Sequence, residues 1–129
     1  MKYLRGSVIG LLGLAAGFLA VWGAMPTQAQ AVAPAPGKPA LFEFGSKYCI
    51  PCREMKEVMS GLKAQYGNQV EFRMVYVDEQ RPLFDQYHIV AIPTQVFLNP
   101  EGKEIDRHIG ALSKDEVIKK LQALKFIVH

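Results

Sequence analysis

The stretch of sequence that decides the fold is residues 42–52, Phe42-Glu43-Phe44-Gly45-Ser46-Lys47-Tyr48-Cys49-Ile50-Pro51-Cys52. Its two cysteines are the only cysteines among the 129 residues of the chain. Two thiols at this spacing can form and break one disulfide between them, whereas a disulfide framework needs several pairs. The motif therefore favours redox chemistry by an exchanging dithiol.

Two other interpretations of the cysteine pair remain open. A structural zinc site normally has four ligands, and the remaining ligands would have to come from His88, His108 and His129, none of which lies at ligand spacing from another. A permanent structural disulfide is the other alternative, although closing so short a loop gains little chain entropy and such a bond tends to be reducible. We predict neither a metal nor a small-molecule cofactor, since the sequence contains no dinucleotide or phosphate loop.

The first third of the chain has the composition of a targeting segment. Lys2 and Arg5 give it a positive start, no charged residue occurs from residue 6 to residue 37, and residues 8–25 are almost wholly apolar. Such a segment is an export signal or a membrane anchor. The small-x-small pattern Ala29-Gln30-Ala31 favours cleavage, whereas the length of the apolar run favours retention as an anchor in the inner membrane. Both interpretations place the rest of the chain outside the cytoplasm, as in the periplasm.

The rest of the sequence predicts a single domain. We predict a signal peptide or anchor at residues 1–31, a flexible tether rich in Ala and Pro at residues 32–37, and a folded domain at residues 38–129. The formal charge of +3 falls to +1 once Lys2 and Arg5 are left out, so the composition does not indicate a nucleic-acid partner. Membrane contact is expected only through the N-terminal segment.

The apolar pattern predicts the order strand, helix, strand, helix, strand, strand, helix. These elements fall at residues 40–44, from the cysteine motif to residue 66, and at 70–77, 81–87, 94–98, 103–109 and 113–124. The first run is short and apolar, as in a strand buried on both faces at the centre of a sheet. Residues 99–102, Asn-Pro-Glu-Gly, have the sequence of a type I turn and predict a hairpin. The order predicts an α/β fold, a central mixed sheet with helices on both faces.

Three motifs together resemble the thioredoxin family. They are residues 42–52, Ile92-Pro93-Thr94 and Gly110-Ala111-Leu112-Ser113-Lys114, and the resemblance extends over residues 38–126. It implies a minimal thioredoxin fold (βαβαββα), because the tether is too short and irregular to supply the extra strand and helix with which full-length thioredoxins begin. It also implies dithiol–disulfide exchange and a cis proline at position 93 facing the cysteine pair.

The sequence departs from the family pattern at four positions. The tryptophan that usually precedes the first cysteine is Tyr48, and the glycine that usually follows it is Ile50. The family's buried aspartate falls at Glu43, and the lysine that often accompanies it falls at Met74. These changes concern the reduction potential and the proton transfer rather than the exchange chemistry itself.

Three residues have predicted roles in the chemistry. Cys49, at the amino end of a helix, faces unpaired backbone amides and the positive end of the helix dipole, which favour a thiolate, so we predict that it is the nucleophile. Cys52 lies one turn further in and is the predicted resolving thiol. Glu43 is the candidate base for Cys52, since burial would raise its pKa towards neutrality. The alternative is that Glu43 faces solvent as the polar member of an alternating strand.

A substrate groove is expected beside Cys49. A cis bond at Pro93 would expose the backbone of Ile92 for pairing with an extended substrate. The lack of an N–H on Pro93 also keeps a donor away from the sulfur site. The predicted lining is small or apolar and consists of Tyr48, Ile50, Pro51, Ala91, Ile92, Gly110 and Ala111. The alternative is that these residues only pack a tight loop.

These observations predict an exported, monomeric thiol:disulfide oxidoreductase that reduces disulfide-containing protein partners. A reductant outside the cytoplasm must be recharged across the membrane, so a membrane electron donor is a predicted partner. Two alternatives stay open. One is an oxidase or isomerase of secreted proteins, although such proteins commonly carry insertions or dimerisation regions for which this chain has no room. The other is a binding or metal-delivery module without turnover, although copper-delivery relatives use Cys-x-x-x-Cys rather than the spacing found here.

Overall fold

The computed structural model describes residues 33–128, and these contain the elements in the predicted order. The strands are β1 (Ala40–Gly45), β2 (Glu71–Tyr76), β3 (Thr94–Leu98) and β4 (Glu104–Ile109), and the helices are α1 (Ile50–Tyr66), α2 (Arg81–Gln86) and α3 (Lys114–Ala123). The predicted signal peptide or anchor lies outside the described residues. Among the described helices, none combines the length and the apolar character needed to cross a bilayer.

The four strands form one mixed sheet in the order β2-β1-β3-β4. β1 runs parallel to β2 and antiparallel to β3, and β3 forms the predicted antiparallel hairpin with β4. β1 is buried at every position from Ala40 to Gly45, as its continuous apolar sequence predicts. The cysteine motif therefore follows directly from a strand that is buried along its whole length.

Helices cover both faces of the sheet, and the side chains of β1 alternate between them. On one face, Leu41 and Phe97 pack with apolar side chains of α1 and α3. On the other face, Phe42 and Phe44 pack with side chains of α2, and the ring of Phe44 meets that of Phe84 edge-on at 5.1 Å. The predicted α/β fold class is therefore confirmed.

Local sequence signals set the ends of the helices. α1 starts after Cys49, which is its N-cap, and Pro51 lies in its first turn, where the missing amide hydrogen costs no bond. α3 starts with a capping box, in which Ser113 and Glu116 bond each other's backbone N–H groups. These caps fix where each helix meets the loop before it.

The segment before β1 packs against the sheet although it contains no helix or strand. Pro34 is buried, and its ring lies 3.4 Å from where a Cβ on Gly102 would be. The backbone N–H of Ala35 donates to the Glu71 carboxylate at 2.5 Å. Pro34 and Ala35 therefore contact the end of the sheet where β1 begins.

Candidate active site

The two cysteines of the motif form a disulfide with their Cα atoms 5.2 Å apart. Cys49 is the N-cap of α1, and its Sγ accepts a hydrogen bond from the backbone N–H of Cys52 at 3.3 Å. Cys49 is partly exposed, whereas Cys52 is 1% exposed. A partner can therefore reach the sulfur of Cys49, and that of Cys52 is covered.

Gly45, the last residue of β1, allows α1 to approach the sheet at the disulfide. A Cβ at this position would lie 3.1 Å from the Cβ and 3.2 Å from the Sγ of Cys52. These distances are shorter than ordinary van der Waals contact, so Cys52 rests directly on the backbone of β1. In the sequence this glycine predicts a turn, and its packing role becomes visible only in the folded chain.

Glu43 points to the same face of the sheet as Gly45, because side chains alternate along β1. This is the face covered by α1, and Glu43 lies two residues, or about 7 Å of strand, before Gly45. Glu43 is 0% exposed. Burial raises its pKa from 4.5 to about 8, and a hydrogen bond from Gln95 opposes part of that rise. The alternative of a solvent-facing Glu43 does not hold.

Gln95 is a buried polar residue of this site and is not one of the site residues predicted from the sequence. It lies directly opposite Glu43 in the β1–β3 ladder, is 0% exposed, and its Nε2 donates to Glu43 Oε2 at 2.8 Å. The signal available in the sequence is a polar side chain inside the apolar strand at residues 94–98, the same kind of signal that marks Glu43.

Three loops meet at the end of the sheet where β1 finishes, because Phe44 pairs with Thr94 and Thr94 pairs with Ile109. The loop before β3 contains Pro93, which is buried and follows a cis peptide bond, as the resemblance implied. Its carbonyl accepts the backbone N–H of Gly110 at 2.8 Å.

The loop after β4 is joined to α1. The backbone N–H of Leu112 donates to the sulfur of Met55 at 3.2 Å, and Met55 is fully buried in the first turns of α1. The structure therefore brings the cysteine motif, the loop before β3 and the loop after β4 to one end of the molecule.

The residues predicted to line a groove lie on the three loops and in the first turn of α1 at that end, and we call this set of residues the apolar rim. Tyr48 is 88% exposed and Ile50 is 70% exposed, although both are large and apolar. Ile92 is 38% exposed, Pro51, Ala91 and Ala111 are also exposed, and Gly110 is half-buried. Val90, which is not among the residues predicted from the sequence, precedes Ala91 in the same loop and is 87% exposed. Exposed apolar side chains gathered at one place are typical of a surface that binds another protein.

A polar cavity of about 270 Å³ lies on the other side of the cysteine pair. Its lining consists of Ser46, Lys47, Cys52, Arg53, Lys56, Glu57 and Tyr76. Cys52 therefore borders a polar space although it is nearly inaccessible at the surface.

A metal site is not formed by the described part of the chain. No group of three or more His, Cys, Asp or Glu side chains in residues 33–128 is arranged to hold a metal ion. His88 and His108 both lie in this range, and His129 lies outside it.

Comparisons with known proteins agree with this geometry. The family model described as Thioredoxin matches residues 27–123. Thioredoxin 1 of Synechococcus elongatus is 32% identical over 83 residues, which cover 64% of this chain and 77% of that protein. The X-ray structure of Fasciola hepatica thioredoxin superposes with a TM-score of 0.61 at 30% identity and covers 68% of this chain and 82% of that one.

Two longer relatives match through only part of their length. The chloroplastic thioredoxin-like protein HCF164 of Arabidopsis thaliana is 31% identical over 90 residues, which are 68% of this chain and 34% of that protein. The thiol:disulfide interchange protein TxlA of Synechococcus elongatus is 32% identical over 72% of this chain and 50% of its own length. The chain thus spans a third to a half of these relatives. Since the family model covers most of the sequence and the fold agrees, this chain belongs to the thioredoxin family, a family of thiol:disulfide oxidoreductases.

Proposed function

We propose that this protein reduces disulfides of protein partners outside the cytoplasm, with Cys49 as the attacking thiol and Cys52 as the resolving thiol. The observation that carries this proposal is the unequal exposure of the two sulfurs in one disulfide at the start of α1. A reductant of this type needs one thiol that a partner can reach and a second that only the first can reach.

In the first step, the Cys49 thiolate attacks one sulfur of the partner's disulfide. A bond forms between Cys49 Sγ and that sulfur, the partner's S–S bond breaks, and the second partner sulfur leaves as a thiolate. The Cys52 N–H, which points at Cys49 Sγ, and the positive end of α1 stabilise the Cys49 thiolate before attack.

In the second step, the Cys52 thiol gives its proton to the Glu43 carboxylate and attacks Cys49 Sγ. The Cys49–Cys52 disulfide forms, the mixed disulfide breaks, and the partner leaves with two electrons and takes up protons as its thiols form. A base with a pKa of about 8 is suited to this transfer, because it can both accept and return a proton near neutral pH.

The apolar rim is the proposed binding surface for the partner. Tyr48, Ile50 and Ile92 offer exposed apolar area beside the reactive sulfur. An extended partner segment would lie along the backbone at Ala91 and Ile92 and place its disulfide at Cys49. We expect protein disulfides rather than small disulfides to be the preferred substrates, since only a chain can fill this rim.

Location and electron supply complete the proposal. The sequence of residues 1–31 supports export, with or without retention of an anchor at residues 8–25. A reductant that works there needs electrons from the cytoplasmic side, and a membrane protein that exchanges thiols with Cys49 would supply them. The protein would act as a monomer with no cofactor other than its own disulfide.

The reduction potential of the Cys49–Cys52 pair in the full-length protein tests this proposal. We expect a value near about −270 mV after equilibration with defined thiol and disulfide mixtures, as for thioredoxin-like reductants. A value near about −120 mV would instead assign the protein to the oxidation of secreted thiols. Failure of the pair to exchange at all would leave a binding module without turnover.

A further inference from the structure

The polar pair Glu43 and Gln95 lies within the buried centre of the sheet. Both side chains are 0% exposed and face each other across the β1–β3 ladder. Burying an unpaired polar group costs free energy, so two polar residues at adjacent positions of a core are expected only where they bond each other or serve a function. The 2.8 Å bond from Gln95 Nε2 to Glu43 Oε2 meets the first condition.

The other neighbour of Glu43 cannot replace Gln95 as a donor. On β2, the residue opposite Glu43 is Met74, whose thioether has no hydrogen to donate. Of the two residues paired with Glu43 across the sheet, only Gln95 can therefore stabilise its negative charge. The amide does so without carrying a charge itself.

The two carboxyl oxygens of Glu43 differ in their surroundings. Oε2 accepts the Gln95 bond, whereas Oε1 has no hydrogen-bond partner among the side chains and backbone of residues 33–128. The amide thus fixes the orientation of the carboxyl and leaves one oxygen available for a proton. Glu43 shares its face of the sheet with Gly45, on which Cys52 rests.

We propose that Gln95 is a positioning residue for the exchange reaction: it holds the Glu43 carboxyl in place and favours the ionised form that accepts the Cys52 proton. The Cys52 S–H bond breaks, the proton passes to Glu43, and the Cys52 thiolate then attacks Cys49. This inference rests on the exchange function proposed above and adds to it a residue that does not touch either sulfur.

Several other titratable groups lie on this side of the sheet. They are Cys52 and Lys56 of α1, Tyr76 of β2, His108 and Asp106 of β4, and Lys120 of α3. Lys120 is paired with Asp106 at 2.6 Å, and His108 lies opposite Gln95 rather than opposite Glu43. The pKa of Glu43 is set by two causes, burial, which raises it, and the Gln95 bond, which lowers it, so Gln95 is the neighbour whose replacement should change it.

A first test needs no substitution. In the oxidised protein neither cysteine titrates, so the carboxyl carbon of Glu43 and the side-chain amide nitrogen of Gln95 can be followed by NMR as the pH changes. We expect both signals to move with one common midpoint. An amide signal from Gln95 that stays constant while the carboxyl of Glu43 titrates would overturn the inference.

A second test replaces the donor. Gln95→Met keeps the length of the side chain and removes the N–H groups. The titration midpoint of the Glu43 carboxyl should then rise by about one pH unit, because a hydrogen bond to a charged group is lost. Val96→Ala, on the opposite face of β3, is the control for destabilisation without loss of the bond. Adding Met74→Lys to Gln95→Met supplies a new donor from β2 and should lower the midpoint again.

The functional readout is the resolving step itself. A mixed disulfide between Cys49 and glutathione releases glutathione when Cys52 attacks, and we expect the pH midpoint of that release to rise in Gln95→Met but not in Val96→Ala. At pH 7 the release should slow by roughly tenfold when the midpoint rises by about one pH unit. If the unmodified protein releases no glutathione, the proposed function fails. If it releases glutathione and Gln95→Met has the same pH profile, only the role of Gln95 fails.

Discussion

The two cysteines are three residues apart but differ in exposure. The proposed mechanism assigns them different roles for this reason. Cys49 is held at the helix start, is partly exposed, and accepts the Cys52 N–H at its Sγ. Cys52 is covered by the backbone of Gly45. In the proposed mechanism, Cys52 releases a partner that has formed a bond with Cys49.

Replacing one cysteine at a time should separate the two tasks. In Cys52→Ser, we expect a stable mixed disulfide between Cys49 and the natural partner, because the thiol that would release it is absent. In Cys49→Ser, no such adduct should form, since Cys52 is 1% exposed. Non-reducing electrophoresis and mass spectrometry of the purified adduct would measure both. Equal amounts of adduct from the two variants would contradict the assigned order of attack.

The sequence predicts a functional role for a residue when that residue stands out from its neighbours in the chain. Cys49, Cys52 and Glu43 stand out because they are cysteines in a motif or a charge in an apolar run. Gln95 stands out in the same way, but its role depends on the pairing of Glu43 with Gln95. That pairing depends on the register between β1 and β3, which are far apart in the sequence, so the sequence alone does not identify the partner.

At the level of elements, apolar periodicity predicts the order and nearly the bounds of the strands and helices. The differences have local causes in hydrogen bonding. The pattern predicts that β2 starts at Val70, but the N–H of Val70 bonds to the carbonyl of Tyr66 at the end of α1, and the ladder begins at Glu71. It predicts that β4 starts at Lys103, but the N–H of Lys103 bonds to Asn99 in the turn.

The junction of β1 and α1 depends on the absence of a side chain at Gly45. In Gly45→Ala, the new methyl group would lie 3.1 Å from the Cβ of Cys52, so α1 must move away from the sheet. We expect a loss of about 1–3 kcal/mol in the free energy of unfolding, as for other overpacked sites. We also expect Cys52 to become more reactive towards alkylating agents in the reduced protein.

The matched control for this substitution is Gly61→Ala in the middle of α1. Its nearest neighbour would be Lys114 Nζ at 3.9 Å, and alanine favours a helix over glycine by about 0.5–1 kcal/mol. Gly61→Ala should therefore stabilise the protein, and chemical denaturation would measure both variants. A stabilising Gly45→Ala would show that the helix does not rest on β1 as described.

At the scale of the whole molecule, Glu43 couples the stability of the fold to pH. Its pKa rises from 4.5 to about 8 on folding, so the folded state holds a proton that the unfolded chain releases. The resulting stability is fully present below about pH 4.5 and is lost as the pH rises through 8. Burial is the first cause of the raised pKa, which makes this dependence a property of the assembled core.

Comparison with Glu43→Gln should show this coupling directly. The glutamine side chain does not titrate. The free energy of unfolding of the oxidised wild-type protein should therefore fall relative to that of oxidised Glu43→Gln as the pH rises from about 5 to about 9. Glu43→Gln should become the more stable of the two by a few kcal/mol, with an upper limit of about 5 kcal/mol. Denaturant unfolding at several pH values measures the difference, and Glu57→Gln, at an exposed position of α1, is the control. Parallel curves for wild type and Glu43→Gln would show that the carboxyl does not carry a raised pKa.

The packing of Pro34 against Gly102 places the start of the described chain at one end of the sheet. That contact lies at the end of the sheet where β1 begins, and the disulfide lies beyond the other end, about 20 Å away along six residues of strand. Ala33, the first described residue, therefore lies near the end of the sheet opposite to the reactive sulfur. A partner that reaches Cys49 therefore approaches the domain from the end opposite to the one at which the described chain begins.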